Sequence, residues 1–65
     1  MVITVVGLGL IGGSFCKAIK EKTEHTCLGV DLSEDVIKKA ISEKTIDGEC
    51  KDLSVSDITI ICLYP

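Results

Sequence analysis

Gly7-Leu8-Gly9-Leu10-Ile11-Gly12 sets three glycines at G-x-G-x-x-G spacing, directly after the apolar run Val2-Ile3-Thr4-Val5-Val6. A run apolar at nearly every position reads as a strand covered on both faces, and residues 10–22 continue with apolar side chains at helical spacing. The glycines therefore fall where strand becomes helix. Gly7 lets the chain leave the strand in a tight turn, Gly9 lets the main chain approach a ligand closely, and Gly12 lets the helix lie tight on the strand. The first-turn N–H groups of such a helix lack intrahelical acceptors and carry the positive end of its dipole, so they attract an anion. Residues 1–16 contain no lysine or arginine, which leaves that attraction to the main chain. The alternative is a glycine-rich turn that holds nothing.

The next apolar stretch, Thr26-Cys27-Leu28-Gly29-Val30, ends in Asp31. A strand-end carboxylate in this position can accept hydrogen bonds from both hydroxyls of an adenosine ribose, completing the pattern that holds a dinucleotide. The same charge repels a 2′-phosphate. Leu32 and Ser33 follow, and no arginine is present to compensate, so the expected cofactor is NAD and not NADP. Asp31 could instead cap the following helix, but Ser33 suits that role better, because Glu34 and Asp35 then occupy the first turn. Expected cofactor-binding residues are Gly7, Leu8, Gly9, Leu10, Ile11, Gly12, Asp31 and Leu32, joined by Leu63 and Tyr64 at the end of the last strand. Tyr64 is equally readable as a surface tyrosine.

Along the chain the pattern is β-α-β-α-(β)-β. Strands are expected at 2–6, 26–31 and 58–63, helices at 10–22 and from just after Ser33 to about 42–44, and a short edge strand at 49–51 after an Asp47-Gly48 turn. In the first helix Ile11, Phe15, Ala18 and Ile19 should face the sheet; in the second, Val36, Ile37, Ala40 and Ile41. Such an alternation demands a parallel sheet with right-handed crossovers, here a partial Rossmann fold of class α/β. The last strand should lie beside the first, away from the second, and open onto the crevice where strand order reverses.

With 65 residues there is room for about half of a complete dinucleotide-binding domain, and the last strand, Ile58-Thr59-Ile60-Ile61-Cys62-Leu63, is very apolar. These features suggest the N-terminal portion of a larger enzyme whose exposed final strand promotes self-association. A net charge of −3 argues against nucleic acid and anionic membranes as partners. Four cysteines without a CxxC pair, and a single histidine, give no metal-site spacing. Reduced cysteines, the lack of a basic leader and the lack of a run of ~20 apolar residues point to a cytoplasmic protein. His25 reads as an exposed loop residue, not a catalytic base.

The longer stretch Gly7-Leu8-Gly9-Leu10-Ile11-Gly12-Gly13-Ser14 resembles the opening of the prephenate and arogenate dehydrogenase family of tyrosine biosynthesis. Gly29-Val30-Asp31-Leu32-Ser33, Ile46-Asp47-Gly48-Glu49 and Asp57-Ile58-Thr59-Ile60-Ile61-Cys62-Leu63-Tyr64-Pro65 resemble its later segments. Residues 51–56 stand in place of a longer acidic helical stretch, and Tyr64 stands where a small apolar residue is commoner. The resemblance implies NAD as cofactor and, in a full-length parent, prephenate or arogenate as substrate, with oxidative decarboxylation of prephenate giving 4-hydroxyphenylpyruvate. It also implies that the family's catalytic histidine and substrate-binding arginine come later, so that this piece carries no catalytic residue and is inactive alone, its helical catalytic domain being absent. The glycine motif and strand-end acid are shared by two alternatives: other oxidoreductases of 3-hydroxyacid dehydrogenase or imine reductase type, and noncatalytic nucleotide-sensing modules.

Overall fold

Residues 1–62 are described by the structure, a computed structural model. In chain order come β1 (Val2–Val6), α1 (Leu10–Lys22), β2 (Thr26–Val30), α2 (Glu34–Ser42), β3 (Gly48–Glu49), a 3-10 turn (Leu53–Val55) and β4 (Ile58–Ile61). The strands form one parallel sheet in the order β3-β2-β1-β4. This is the α/β partial Rossmann arrangement, with β4 beside β1 and the short β3 at the opposite edge. Three boundaries differ from the sequence pattern. β3 pairs one residue earlier than expected, β2 ends at Val30, and β4 ends at Ile61. β2 stops where Asp31 turns its carboxylate back to accept from the N–H of Ser33, which starts the turn into α2. Ser33 caps α2 as expected, its hydroxyl accepting from the Val36 N–H at 3.4 Å.

Strand alternation sets Ile3 and Val5 of β1 on one face with Cys27 and Gly29 of β2 and Ile58 and Ile60 of β4. Both helices cover this face. Cys16 and Ile19 of α1, and Ile37 and Ala40 of α2, join Ile3, Val5, Leu8, Cys27 and Ile46 in a single core. Cys16 and Cys27 are fully buried. The Cys16 thiol is pushed well up by its hydrogen bond to Cys27 and by burial, so it stays protonated and packs as a small apolar group.

The orientation of α1 is a correction to the sequence pattern. Of the four residues expected to face the sheet, only Ile19 is buried. Ile11 and Phe15 are 61% and 46% exposed, and Ala18 is exposed as well. Gly12 is the cause: a Cβ on it would stand 1.8 Å from the Gly7 carbonyl oxygen. The helix touches the strand end through a position without a side chain, and this turns Gly12, Cys16 and Ile19 downward. In α2 the expectation holds for Ile37 and Ala40, whereas Val36 is half-buried and Ile41 is exposed.

The connection from β3 to β4 runs back across the sheet, and a right-handed crossover places it on the other face. There residues 50–57 form a strap. Thr4, fully buried, bonds its hydroxyl to that of Ser56, and the Val2 N–H donates to the Asp57 carboxylate at 2.7 Å. At the far edge, the Asp47 carboxylate accepts from the Cys27 N–H at 2.8 Å and pairs with Lys20 of α1. One side chain thus fastens the approach to β3 onto β2 and α1. Among the described residues no helix is long and apolar enough to cross a membrane.

Gly12→Ala should destabilise the fold by at least ~3 kcal/mol in urea titration, because the clash is with main chain and no rotamer relieves it. Gly13→Ala is the control: its Cβ would lie 3.8 Å from the nearest heavy atom, the Leu8 carbonyl oxygen, and it should gain about 0.5–1 kcal/mol from helix propensity. Lys20 and the Cys27 N–H hold the Asp47 carboxyl below its usual range. Such a group contributes stability above the unfolded-state carboxylate value and loses it as pH falls through the lower, folded one. Melting temperature should therefore drop on acidification below about pH 4, and Asp47→Asn should flatten that slope.

Candidate functional site

At the carboxyl ends of β1 and β2 the chain turns away from the sheet, and the end of β4 lies beside that of β1. Gly7 leaves β1 with φ 92, a left-handed conformation that a side chain disfavours, and its N–H donates to the Val30 carbonyl at 2.7 Å. The Leu8 N–H then donates to Asp31 Oδ2 at 2.9 Å, while Asp31 Oδ1 takes the Ser33 N–H at 3.0 Å. One carboxylate therefore ties the glycine loop to the turn after β2. These N–H donors, Ser33 first and Leu8 second, hold the Asp31 carboxyl below its usual range, so it is ionised near neutral pH. An ionised carboxylate has about four acceptor sites, and the loop uses only part of them.

Leu8 serves the loop from the other side. Its side chain is buried, and a Cβ on Gly29 would stand 2.8 Å from Leu8 Cδ1. The leucine is the plug that seats the loop in the core, and Gly29 leaves space for it. Gly9 is the N-cap of α1, with its carbonyl accepting from the Gly13 N–H at 2.7 Å. No side chain caps this helix and no acid lies in its first turn, in contrast to α2 with Ser33, Glu34 and Asp35. The main-chain N–H groups at the start of α1 thus keep hydrogen-bonding capacity for water or for an anion.

A cavity of about 500 Å³ opens here, lined by Val6, Gly7, Gly9, Val30, Asp31, Leu32 and Cys62. Of the residues singled out from sequence, it brings together Gly7, Gly9, Asp31 and Leu32. Leu8, Leu10, Ile11 and Gly12 do not line it. Leu8 faces the core, Leu10 and Ile11 project outward, and Gly12 is wedged against Gly7. What these four bring to the site is main chain. Leu63 and Tyr64 lie outside the described residues. Three lining residues escaped the sequence reading: Val6 and Val30, the last residues of β1 and β2, and Cys62, the residue directly after β4. The Cys62 N–H donates to the Val6 carbonyl at 2.8 Å, which fixes its place beside the loop. The rule that ligands bind outside the carboxyl ends of strands, where strand order reverses, could have found all three.

His25 sits at the opposite end of the sheet, half-buried, with Nδ1 3.0 Å from the N-terminal amine. Among the described residues no group of three histidine, cysteine or acidic side chains could hold a metal ion.

No family model and no curated protein matches the chain. Among solved structures it is similar to the crystal structure of Synechocystis arogenate dehydrogenase, with 33% sequence identity and a TM-score of 0.87. The likeness covers 98% of this chain and 24% of that one, so the chain spans about a quarter of that protein's length. In fold and in sequence together, nearly the whole of this chain is similar to a quarter of an arogenate dehydrogenase, in keeping with the resemblance carried by residues 7–14.

Proposed function

We propose that this chain is the NAD-binding part of a prephenate or arogenate dehydrogenase, a cytoplasmic enzyme of tyrosine biosynthesis. The observation that carries the reading is the Asp31 carboxylate: ionised, bonded to the glycine loop through Leu8, and facing a cavity of about 500 Å³. The chain's 33% identity to an arogenate dehydrogenase supports the choice of enzyme class.

The residues fit a dinucleotide on two grounds. The uncapped start of α1 offers N–H groups to a pyrophosphate, and the remaining acceptor positions of Asp31 suit the two hydroxyls of an adenosine ribose. Leu32, fully exposed at the cavity rim, offers apolar surface to the adenine. Bound NAD would supply the hydride acceptor. The role of Gly7, Gly9 and Gly12 is to hold the main chain in a shape that meets the pyrophosphate without a cationic side chain. A 2′-phosphate would stand against the ionised Asp31, and neither Leu32 nor Ser33 could balance its charge. Residues 1–65 form the N-terminal portion of the dinucleotide-binding domain, and the substrate's hydroxyl and carboxylate groups are handled by parts of the longer enzyme that this chain does not contain.

Calorimetric titration of the chain with NAD and with NADP tests the reading. NAD should bind, and NADP should bind at least tenfold more weakly. Asp31→Ala should weaken NAD by about 10- to 100-fold, the loss of charge-assisted hydrogen bonds, and should narrow the gap to NADP. Unchanged NAD affinity with unchanged selectivity would remove Asp31 from the ribose role. Gly9→Val should abolish NAD binding with the fold intact, since Gly9 has φ −68, which valine tolerates. Normal NAD affinity in that variant would reject the pyrophosphate assignment.

A further inference from the structure

Between β1 and α1 the loop is Gly7-Leu8-Gly9, so Leu8 carries its only side chain, and that side chain is buried. Glycine main chain is permissive, and by itself it would let the loop take many positions. The Gly7 N–H holds the start of the loop to the Val30 carbonyl. Beyond that bond, the Leu8 side chain sets how deep the loop sits against the sheet.

Leu8 enters a seat with a floor and a wall. The floor is Gly29 of β2, in register with Val5 of β1, and the wall is Ile46, 2% exposed. A Cβ on Gly29 would stand 2.8 Å from Leu8 Cδ1, 3.1 Å from Leu8 Cδ2 and 2.9 Å from Ile46 Cδ1. The seat has no room for one more carbon. Its wall is tied on both sides: the Asp47 N–H donates to the Cys27 carbonyl at 2.7 Å, and the Thr45 N–H to the Ala40 carbonyl at 2.8 Å. Leu8, between two glycines, is the member that yields.

The main chain of Leu8 grips the same strand two residues further on, where its N–H donates to Asp31 Oδ2 at 2.9 Å. Crowding a side chain in a packed core shifts its main chain as well as its rotamer. We propose that Gly29, Leu8 and Ile46 are positioning residues, whose seat sets the place of the glycine loop against the Asp31 carboxylate. The seat thereby fixes the spacing between the donors for a pyrophosphate and the acceptors for a ribose. That ligand rests on the NAD reading; the seat itself does not. Holding two groups of one ligand at once requires the spacing to exist beforehand, and an error of about 1 Å weakens binding.

An acid titration of the cofactor-free chain, with the Asp31 carboxyl followed by NMR, reads the seat directly. The Leu8 N–H helps to hold that carboxyl below its usual range, so losing the bond raises the midpoint. Gly29→Ala crowds the seat and Leu8→Val loosens it. Each should raise the midpoint and weaken NAD binding about tenfold, the loss of one hydrogen bond to a charged group. The double variant conserves volume, one carbon added and one removed, and should return both readings toward wild type. This recovery separates positioning from plain destabilisation, whose effects would add. Ile19→Val, in the core near the far end of α1, should lower the melting temperature and move neither reading. Should Gly29→Ala fail to fold, Leu8→Val and the double variant carry the same comparison. An unchanged Asp31 midpoint in Leu8→Val, or a double variant no better than Leu8→Val, would overturn the proposal. A midpoint that moves as expected in a chain that binds no NAD would keep the seat and overturn the dinucleotide reading instead.

Discussion

Everything on the helical side of this fold depends on the contact between Gly12 and the carbonyl of Gly7. At that point helix and strand end approach more closely than any side chain permits, and the approach angle fixes the rotation of α1. The rotation then decides three things at once. It drives Cys16 and Ile19 into the core, opens Gly13 and Lys17 toward α2, and leaves Ile11, Phe15 and Ala18 exposed. It also aims the start of α1 at the cavity. A motif usually described by what it does for a ligand is here also the joint that orients the first layer.

Much of the fold was legible because local signals agreed with one another. The runs at 2–6 and 26–30 and the cap at Ser33 each had one dominant reading, and the order of strands followed from handedness, whereas Gly48, expected in a turn with Asp47, is the first residue of β3. The rotation of α1 was not legible. Ile11, Phe15 and Ala18 make a better apolar stripe than Gly12 and Cys16, and periodicity ranks side chains by hydrophobicity, so it cannot register a contact made by the lack of one. The same blindness hid Gly29, whose missing side chain makes space for Leu8.

The site was legible in its chemistry more than in its geometry. Asp31 stands at the cavity as its strand-end position implied. Its bond to the Leu8 N–H was hidden, because main-chain donors have no signature in a residue list. Val6, Val30 and Cys62 were hidden for a different reason: they read as ordinary strand residues, and only the parallel alignment of three strand ends makes them neighbours. Asp47 was read as a turn former, and it is also the fastener between β2 and α1.

The strap of residues 50–57 has an effect on how the last strand finds its place. β4 reads Ile-Thr-Ile-Ile, apolar on both faces, so sliding it by one residue along β1 would exchange one greasy face for another at little cost. Hydrophobicity alone therefore does not choose among alignments. The polar fasteners do. The Val2 N–H finds the Asp57 carboxylate, the Asp57 N–H finds the Val2 carbonyl, and the Thr4 hydroxyl finds Ser56 only when the strand is correctly seated. A slip of one position would strand a buried hydroxyl and a main-chain donor together. The strap works as a vernier, reading the alignment of two strands whose own side chains carry no scale.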